Sequence, residues 1–295
     1  MEERYQKLKE EREELLRERE FHREIEKLLV HDLKSPVAKL NMAGEMLDNY
    51  LGEIRDAKDK EERNKKIFEA RRFLRVIGSS GRKVSDLAEI LKLSDITPEA
   101  LKKDSKKFNL WERFDETIQS YEHTMISQRE LGLELYFKED IKDLEVNTNI
   151  SAMRSIFSNV IGNAIQYAPR ESLIKSAIYT NSKDLILELE NMVTSPINIT
   201  ELKQIFEKGY RLDETQTDIN RLNEGLGLYF VEKAIKKGYQ GRIDVSSGNS
   251  FQITDDKTKD LSKKTYGIIY PPFYETLPSF HMKVSIPLDS LALEE

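Results

Sequence analysis

Two apolar stripes with coiled-coil spacing constrain the fold of this chain more than any other feature. The first stripe, spaced 4-3-4-3-4, consists of Leu33, Val37, Leu40, Gly44, Leu47 and Leu51. The second, spaced alternately three and four, consists of Ile67, Ala70, Leu74, Ile77, Gly81, Val84, Ala88 and Leu91. Such spacing predicts two helices, and the polar residues 52–66 between them suit a loop. A two-helix hairpin cannot enclose both stripes, so we expect a homodimer that forms a four-helix bundle.

Composition excludes several classes of partner and site. The chain has 53 acidic and 47 basic residues in 295, so its charge of -6 does not indicate a nucleic-acid partner. The absence of cysteine excludes disulfides, cysteine nucleophiles and thiolate metal sites. No apolar run approaches the ~18 residues of a membrane span, and no signal-peptide pattern opens the chain. We therefore expect a cytoplasmic location.

The pattern changes along the chain predict three regions. Residues 1–20 are rich in Glu, Arg and Lys and predict an N-terminal signalling or coiled-coil helix, and residues 21–97 hold the hairpin. The stretch "SDITPEALKKDSKK" (94–107) is typical of a linker. From residue 98 to 295, strands and helices mingle, which is typical of an α+β or α/β domain.

The elements of this second domain follow from their periodicity. Helices are expected over about 109–129, over 151–168 and in "EGLGLYFVEKAIKKG". Strands are expected in "LGLELYFK", whose alternation predicts burial of one face, and in "DLILELEN", "GRIDVSS" and "HMKVSIPL".

The helix over 151–168 carries three polar or aromatic residues on one face. Asn159, Asn163 and Tyr167 are spaced i, i+4, i+8, and the remaining face is apolar. An unpaired buried amide costs roughly 2 kcal/mol or more, so both asparagines need partners. They either cap a neighbouring loop or hold a polar ligand or hydrated Mg²⁺.

Two further stretches carry chemistry. Gly225 and Gly227 lie where a loop becomes a helix, which suits phosphate binding or is an ordinary glycine-rich helix start. In "VHDLKSPV", the stripe places Leu33 and Val37 inward and leaves His31 facing solvent. Asp32 could hold the imidazole in one tautomer, and Pro36 would bend the helix beside it.

Taken together, these stretches resemble the sensor histidine kinases of two-component systems. "VHDLKSPV" resembles their H-box, "NVIGNAIQYA" their N-box, "IFEKGYR" their F-box, and "EGLGLYFVEKAIKKGYQGRIDVSS" their last glycine box. The resemblance implies a dimeric all-α helical hairpin followed by a Bergerat-type ATP-binding domain, an α+β two-layer sandwich. It also implies a response-regulator receiver domain as partner and an upstream sensor domain or sensor protein.

The same resemblance implies roles for individual residues. His31 would attack the γ-phosphate of ATP, with Asp32 as base or orienting group, and the hydroxyl of Ser35 would permit phosphatase activity. Asn163 would bind Mg²⁺, Asn159 would lie near the phosphates and Tyr167 beside adenine. The border of an ATP lid at about 207–224 would be formed by Phe206, Tyr210 and Arg211. The backbone that approaches the triphosphate would be that of Gly225, Leu226, Gly227 and Leu228.

Three departures from the family pattern stand out. Asn191 in "LENMVTSPIN" lies where the family has an aspartate that accepts a hydrogen bond from adenine, and the usual glycines are missing. Gln166 replaces a common Lys or Arg. Residues 247–280 replace a tight connection and form either an ordered insert or docking surface, or an extended hairpin that serves only packing.

Three functions remain open on the sequence. The first is an ATP-dependent histidine kinase that passes its phosphoryl group from His31 to an aspartate of a response regulator. The second is a pseudokinase or signalling scaffold with a degenerate nucleotide pocket. The third, a histidine phosphotransferase, is disfavoured by the near-complete N-box and lid.

Overall fold

A computed structural model describes most of the chain and divides it into two compact units. The described residues are 33–34, 36–57, 59–92, 96–103, 105–125, 129–210, 225–267 and 277–291, with the isolated positions 5, 6, 9 and 12. The units comprise residues 1–94 and 95–295. Within the described ranges, no helix combines the length and the apolar composition needed to cross a membrane.

From residue 36 onward, the described part of the first unit forms two long helices, α1 (36–56) and α2 (Lys60–Lys92). The rings of Tyr50 and Phe73 lie 5.4 Å apart, and Lys66 Nζ lies 3.4 Å from a carboxylate oxygen of Glu53. Between these two contacts, the α1 residue advances from position 50 to position 53, while the α2 residue goes back from position 73 to position 66. The two helices therefore run in opposite directions. Ala43 on α1 and Ala70 on α2 are both buried.

The predicted stripes are only partly covered within this unit. Val37, Leu51 and Leu74 are 40%, 52% and 53% exposed. The expectation that Val37 faces inward applies to a dimer and stays a prediction, while in the single chain the neighbouring Pro36 is buried. Two helices can cover only one side of each stripe, so the other side stays in contact with solvent.

The second unit alternates helices and strands. Its first elements are α3 (Pro98–Lys103), β1 (Ser105–Asn109), α4 (Leu110–Thr124), β2 (Gly132–Phe137) and β3 (Glu145–Asn149). The next are α5 (Ile150–Tyr167), β4 (Leu173–Thr180), β5 (Asp184–Met192), α6 (Ile199–Gln204) and α7 (Gly227–Lys233). The last are β6 (Arg242–Gly248), α8 (Asp255–Thr258), β7 (Ser262–Gly267) and β8 (Ser279–Pro287). Short 3-10 helices cover Glu139–Asp143 and Leu288–Leu291, and a π-helical turn covers Ala234–Gly238.

Six strands form one sheet in the order β6-β8-β5-β4-β2-β7, and β1 pairs with β3 separately. All neighbours in the large sheet are antiparallel except β2 and β4. Its front face is apolar, with Leu135, Leu187 and Val284 buried, and α5 packs on β5 there. Behind α5, the rings of Phe114 on α4 and Phe157 meet edge to face at 4.9 Å. The predicted α+β two-layer sandwich is confirmed.

The predicted linker is partly wrong, because residues 98–109 form α3 and β1. Thr97 starts the helix by accepting a hydrogen bond from the Ala100 N–H at 3.2 Å. Leu101 is buried, and α3 packs against the π-helical turn. The segment is rich in lysine and looks like a linker, but its one buried leucine is enough to hold so short a helix on the domain.

The insert is built into the sheet and is not an extended hairpin. After β6 at one edge, the chain passes behind the sheet through α8 and adds β7 beside β2 at the other edge. Ile253 in the crossing segment packs on Tyr136 and Ala177. This crossing buries β2 on both faces, so the expectation of a half-buried strand is wrong.

Candidate functional site

Helix α5 carries the centre of the candidate site and is fixed at both ends. At its start, the side chain of Asn149 accepts a hydrogen bond from the Ala152 N–H at 2.9 Å. At its end, a guanidinium nitrogen of Arg129 donates to the carbonyls of Gln166, at 2.9 Å, and of Ala168. Burial, with a smaller contribution from Arg170, lowers the pKa of Arg129. Capping at both ends holds the helix in place, and its partly exposed polar face can then contact a ligand.

Asn159 faces the start of α7. Its Nδ2 donates to the Ser155 carbonyl at 2.8 Å, one turn earlier in the same helix. Its Oδ1 points at Gly227: a Cβ added there would overlap Oδ1 and would lie 3.2 Å from Cγ. The structure therefore brings together two residues that the sequence predicted to share a phosphate site. Only glycine leaves room for this approach.

Asn163, one turn further along α5, has an unused hydrogen-bonding group. Its Nδ2 is buried and has no hydrogen-bond partner among the described residues. A buried amide without a partner is costly, so a ligand that bonds to it would be stabilised. Rotation of the amide by half a turn would present its oxygen instead, and an amide oxygen is a ligand that Mg²⁺ accepts. The residue thus fits a hydrated magnesium ion or a polar ligand.

The described residues around Asn163 do not include a cluster of acidic or histidine ligands. In the described part of the chain, no three His, Asp or Glu side chains are grouped so as to hold a metal ion. Magnesium keeps several waters and commonly binds one or two protein oxygens together with substrate phosphates. Asn163 therefore suits a cation that arrives with a nucleotide rather than a permanent metal centre.

The two borders of the predicted lid meet each other. The Gly209 N–H donates to the Gly225 carbonyl at 3.3 Å. Both glycines have positive φ, 77° and 68°, a conformation that side chains disfavour. A Cβ on Gly225 would also lie 2.8 Å from the Gly209 carbonyl carbon. The N–H of Tyr210 donates to the Glu207 carbonyl at 3.2 Å, and Phe206 beside it is buried.

Helix α7 begins directly after this junction. Leu226 is buried and precedes the first helical residue, Gly227, while Leu228 is partly buried. Tyr167 is partly buried at the end of α5, the helix against which α7 packs. The junction, the start of α7 and the polar face of α5 thus border one region. Arg211 and the rest of the predicted lid to residue 224 lie outside the described residues.

Asn191 lies on the front face near the end of β5. It is 2% exposed, and its Nδ2 donates to the Met192 carbonyl at 2.8 Å. This bond commits the nitrogen to the backbone and leaves Oδ1 as the acceptor for another group. Oδ1 can therefore accept a hydrogen bond from an exocyclic amine. Its role towards adenine stays a prediction.

The residues predicted at the phosphoacceptor end of the site are His31, Asp32 and Ser35. All three lie outside the described residues. Their roles therefore stay predictions from the sequence.

Sequence reasoning missed a charged network on the back face of the sheet. The Glu188 carboxylate accepts a hydrogen bond from Tyr179 Oη at 2.6 Å and lies 2.9 Å from His281 Nε2 and 3.4 Å from Lys283 Nζ. Burial alone would raise the pKa of Glu188, but these partners lower it to about 2. Burial and the bond to Glu188 raise the pKa of Tyr179. Alternation in "LILELEN" places Glu188 on the face opposite the leucines, but it does not reveal the partners that β4 and β8 bring to it.

Comparison with known proteins finds a family similar to the region that holds Asn159, Asn163, Asn191 and Gly227. Residues 148–263 match the family described as "Histidine kinase-, DNA gyrase B-, and HSP90-like ATPase". The adaptive-response sensory kinase SasA of Synechocystis sp. is 24% identical over 253 residues, which are 84% of this chain and 62% of that protein. SasA of Microcystis aeruginosa is 28% identical over 257 residues, again 84% and 62%. The chain thus spans less than two thirds of the length of these relatives.

A solved structure is similar as well. The catalytic domain of the histidine kinase ThkA superposes with a TM-score of 0.45 at 17% identity, over 62% of this chain and 95% of that chain.

Proposed function

Because residues 148–263 match the histidine kinase-, DNA gyrase B- and HSP90-like ATPase family, we propose that this chain is an ATP-dependent protein histidine kinase. The observation that carries the proposal is the arrangement of α5 against α7. Asn159 contacts Gly227, and Asn163, whose Nδ2 has no partner among the described residues, lies one turn away on the same helix face. An open amide beside a glycine backbone is an arrangement suited to a phosphate chain and its cation.

The nucleotide would be held by groups of different chemistry. The backbone at Gly225 and Gly227 approaches the triphosphate closely because neither residue carries a side chain. Asn163 would hold Mg²⁺, which neutralises phosphate charge during transfer. Tyr167 would pack beside the adenine ring, and Oδ1 of Asn191 would accept a hydrogen bond from its amine.

The proposed reaction is phosphoryl transfer to His31. A ring nitrogen attacks the γ-phosphorus in line, an N–P bond forms, the bond to the bridging oxygen breaks, and ADP leaves. Asp32 holds the ring in the tautomer that frees the attacking nitrogen, or takes the proton that the ring gives up. The phosphoryl group then passes to an aspartate of a response-regulator receiver domain. The hydroxyl of Ser35, four residues after His31, would help a water molecule hydrolyse the phosphorylated aspartate of the regulator, which releases inorganic phosphate.

The hairpin supports a homodimer as the working form. Val37, Leu51 and Leu74 belong to the predicted stripes and remain exposed in one chain. A second hairpin packed on them would complete a four-helix bundle and bury these side chains. An upstream sensor domain or sensor protein would act on this bundle.

A second candidate function is a signalling scaffold. It is favoured by Asn191, which stands where the family has an acid and whose Nδ2 is already bonded to the Met192 carbonyl. A scaffold of this kind would bind partners and would not turn over ATP.

Calorimetric titration with a non-hydrolysable ATP analogue separates the two functions. A kinase should bind the analogue with an affinity that depends on Mg²⁺ and that falls in Asn163→Ala. No binding, with or without Mg²⁺, would favour the scaffold.

A further inference from the structure

Glu190 is a buried carboxylate that the proposed mechanism does not use. It lies on the back face of β5 and is 0% exposed. The Gln252 N–H donates to its two oxygens at 2.8 and 2.7 Å, and the Ile253 N–H donates at 2.9 Å. The Ser279 hydroxyl donates a further hydrogen bond at 2.8 Å. A carboxylate that accepts several short bonds from neutral donors holds its partners firmly.

The partners of Glu190 belong mainly to the insert. Lys175, opposite Glu190 on the neighbouring strand β4, donates from Nζ to the Ile253 carbonyl at 3.2 Å. The same ammonium lies 5.0 Å from the centre of the Phe251 ring. The segment 251–253 is therefore held from one side by Glu190 and from the other by Lys175. These contacts tie the insert to the middle of the sheet.

The residue after Glu190 faces the candidate site. Side chains alternate along a strand, so Asn191 lies on the front face while Glu190 lies on the back. Strand β5 ends one residue later, at Met192. Within the sheet, Asn191 pairs with Ile174 on β4 and with Phe280 on β8, and Met192 pairs with Ser279, which also donates to Glu190. The bonds of Glu190 therefore add the insert to the contacts that fix the peptide carrying Asn191, on the face of the sheet opposite its side chain.

We propose that Glu190 is a positioning residue of the nucleotide site: by binding the backbone of the insert, it fixes where Asn191 meets the adenine ring. The inference rests on the proposed function, since it assumes that Asn191 reads adenine. In this proposal, the insert contributes to the selection between nucleotides through Glu190. Glu190 acts through Asn191 and does not itself touch the nucleotide.

The test compares two nucleotides that differ at the group Asn191 would read. ATP carries an exocyclic amine where inosine triphosphate carries a carbonyl. Wild-type chain should prefer ATP in calorimetric titrations. In Glu190→Gln, an amide NH₂ would face backbone N–H donors, so we expect ATP affinity to fall about three- to tenfold while inosine triphosphate affinity is unchanged.

Glu188→Gln is the matched control. It neutralises an acid two residues earlier on the same face of β5, but the partners of Glu188 given by the described residues are side chains of β4 and β8. We expect its ratio of ATP to inosine triphosphate affinity to equal that of wild type. If Glu190→Gln does not fold, Ser279→Ala removes one of the three donors, and the ratio should shift in the same direction by a smaller factor.

The possible results separate the inference from the function on which it rests. An unchanged ratio in the Glu190 or Ser279 variant would overturn the positioning role. Equal losses for both nucleotides would also overturn it, because they indicate general loosening of the domain. A wild-type chain that binds neither nucleotide would overturn the proposed function itself, and the inference with it.

Discussion

Oδ1 of Asn159 points directly at Gly227, and the contact leaves no space for a methyl group on the glycine. Gly227→Ala should therefore displace either Asn159 or the start of α7. Overpacking of this kind costs about 1–3 kcal/mol, so we expect ATP affinity to fall roughly fivefold to hundredfold. Calorimetric titration of the folded variant measures the change. Gly248→Ala is the matched control, since its nearest neighbour would lie at 3.9 Å. Equal ATP affinities for the two variants would contradict this role of Gly227.

The unpartnered amide of Asn163 predicts a defect that depends on magnesium. For wild type, Mg²⁺ should tighten the binding of an ATP analogue by about tenfold or more, and for Asn163→Ala it should have little effect. The control Asn181→Ala removes an amide whose oxygen accepts hydrogen bonds from the Lys183 and Asp184 N–H groups, in the turn between β4 and β5. It should keep the wild-type dependence on Mg²⁺. An Asn163→Ala variant that still responds to Mg²⁺ like wild type would rule out this ligand.

The exposed stripe predicts the oligomeric state. Leu74→Glu places a carboxylate in the proposed interface between two hairpins, where an unpaired charge costs about 3 kcal/mol or more. We expect wild type to sediment as a dimer and this variant as a monomer with unchanged helix content. Met42→Glu adds the same charge at a side chain that is 56% exposed and lies off the stripe, so it should remain dimeric. A monomeric wild type, or a dimeric Leu74→Glu, would contradict the four-helix bundle.

The Glu188 network predicts how stability changes in acid. Its pKa is about 2 in the folded chain against an ordinary 4.5. A lowered pKa stabilises the fold above pH 4.5, and this contribution is lost as the pH falls from 4.5 towards 2. Because solvent reaches part of the carboxylate, we expect the loss to be on the order of 1–2 kcal/mol.

Glu188→Gln isolates this contribution, because glutamine does not titrate. Urea unfolding at several pH values should show that the stability gap between wild type and variant narrows between pH 4.5 and pH 2. A gap that stays constant over this range would show that Glu188 does not carry the effect.

Local patterns predicted the elements that bury one regular face. The apolar periodicity of α5 and the alternation in β5 and β8 were sufficient, because each of these elements buries a regular apolar face. The same patterns could not predict β7. Ser262–Gly267 pairs with β2, which lies far away in the chain, and its lysines give no sign of burial. Helix α3 was missed for a similar reason, since a single buried leucine anchors it.

The candidate site was predictable where its chemistry depends on residue type. Paired asparagines and glycines at a helix start indicated groups that meet in space, and Asn159 does contact Gly227. Glu190 could not be found this way, because its donors are backbone N–H groups of Gln252 and Ile253. Backbone donors leave no signature in the sequence, and only the path of the insert brings them to the carboxylate.

Incubation of the full chain with γ-labelled ATP and Mg²⁺ tests directly whether His31 accepts the γ-phosphoryl group. We expect label that is stable in alkali and lost in acid, as for a phosphorylated histidine, and none in His31→Gln or Asn163→Ala. Wild-type chain that takes up no acid-labile label, or His31→Gln that takes up as much as wild type, would contradict this expectation.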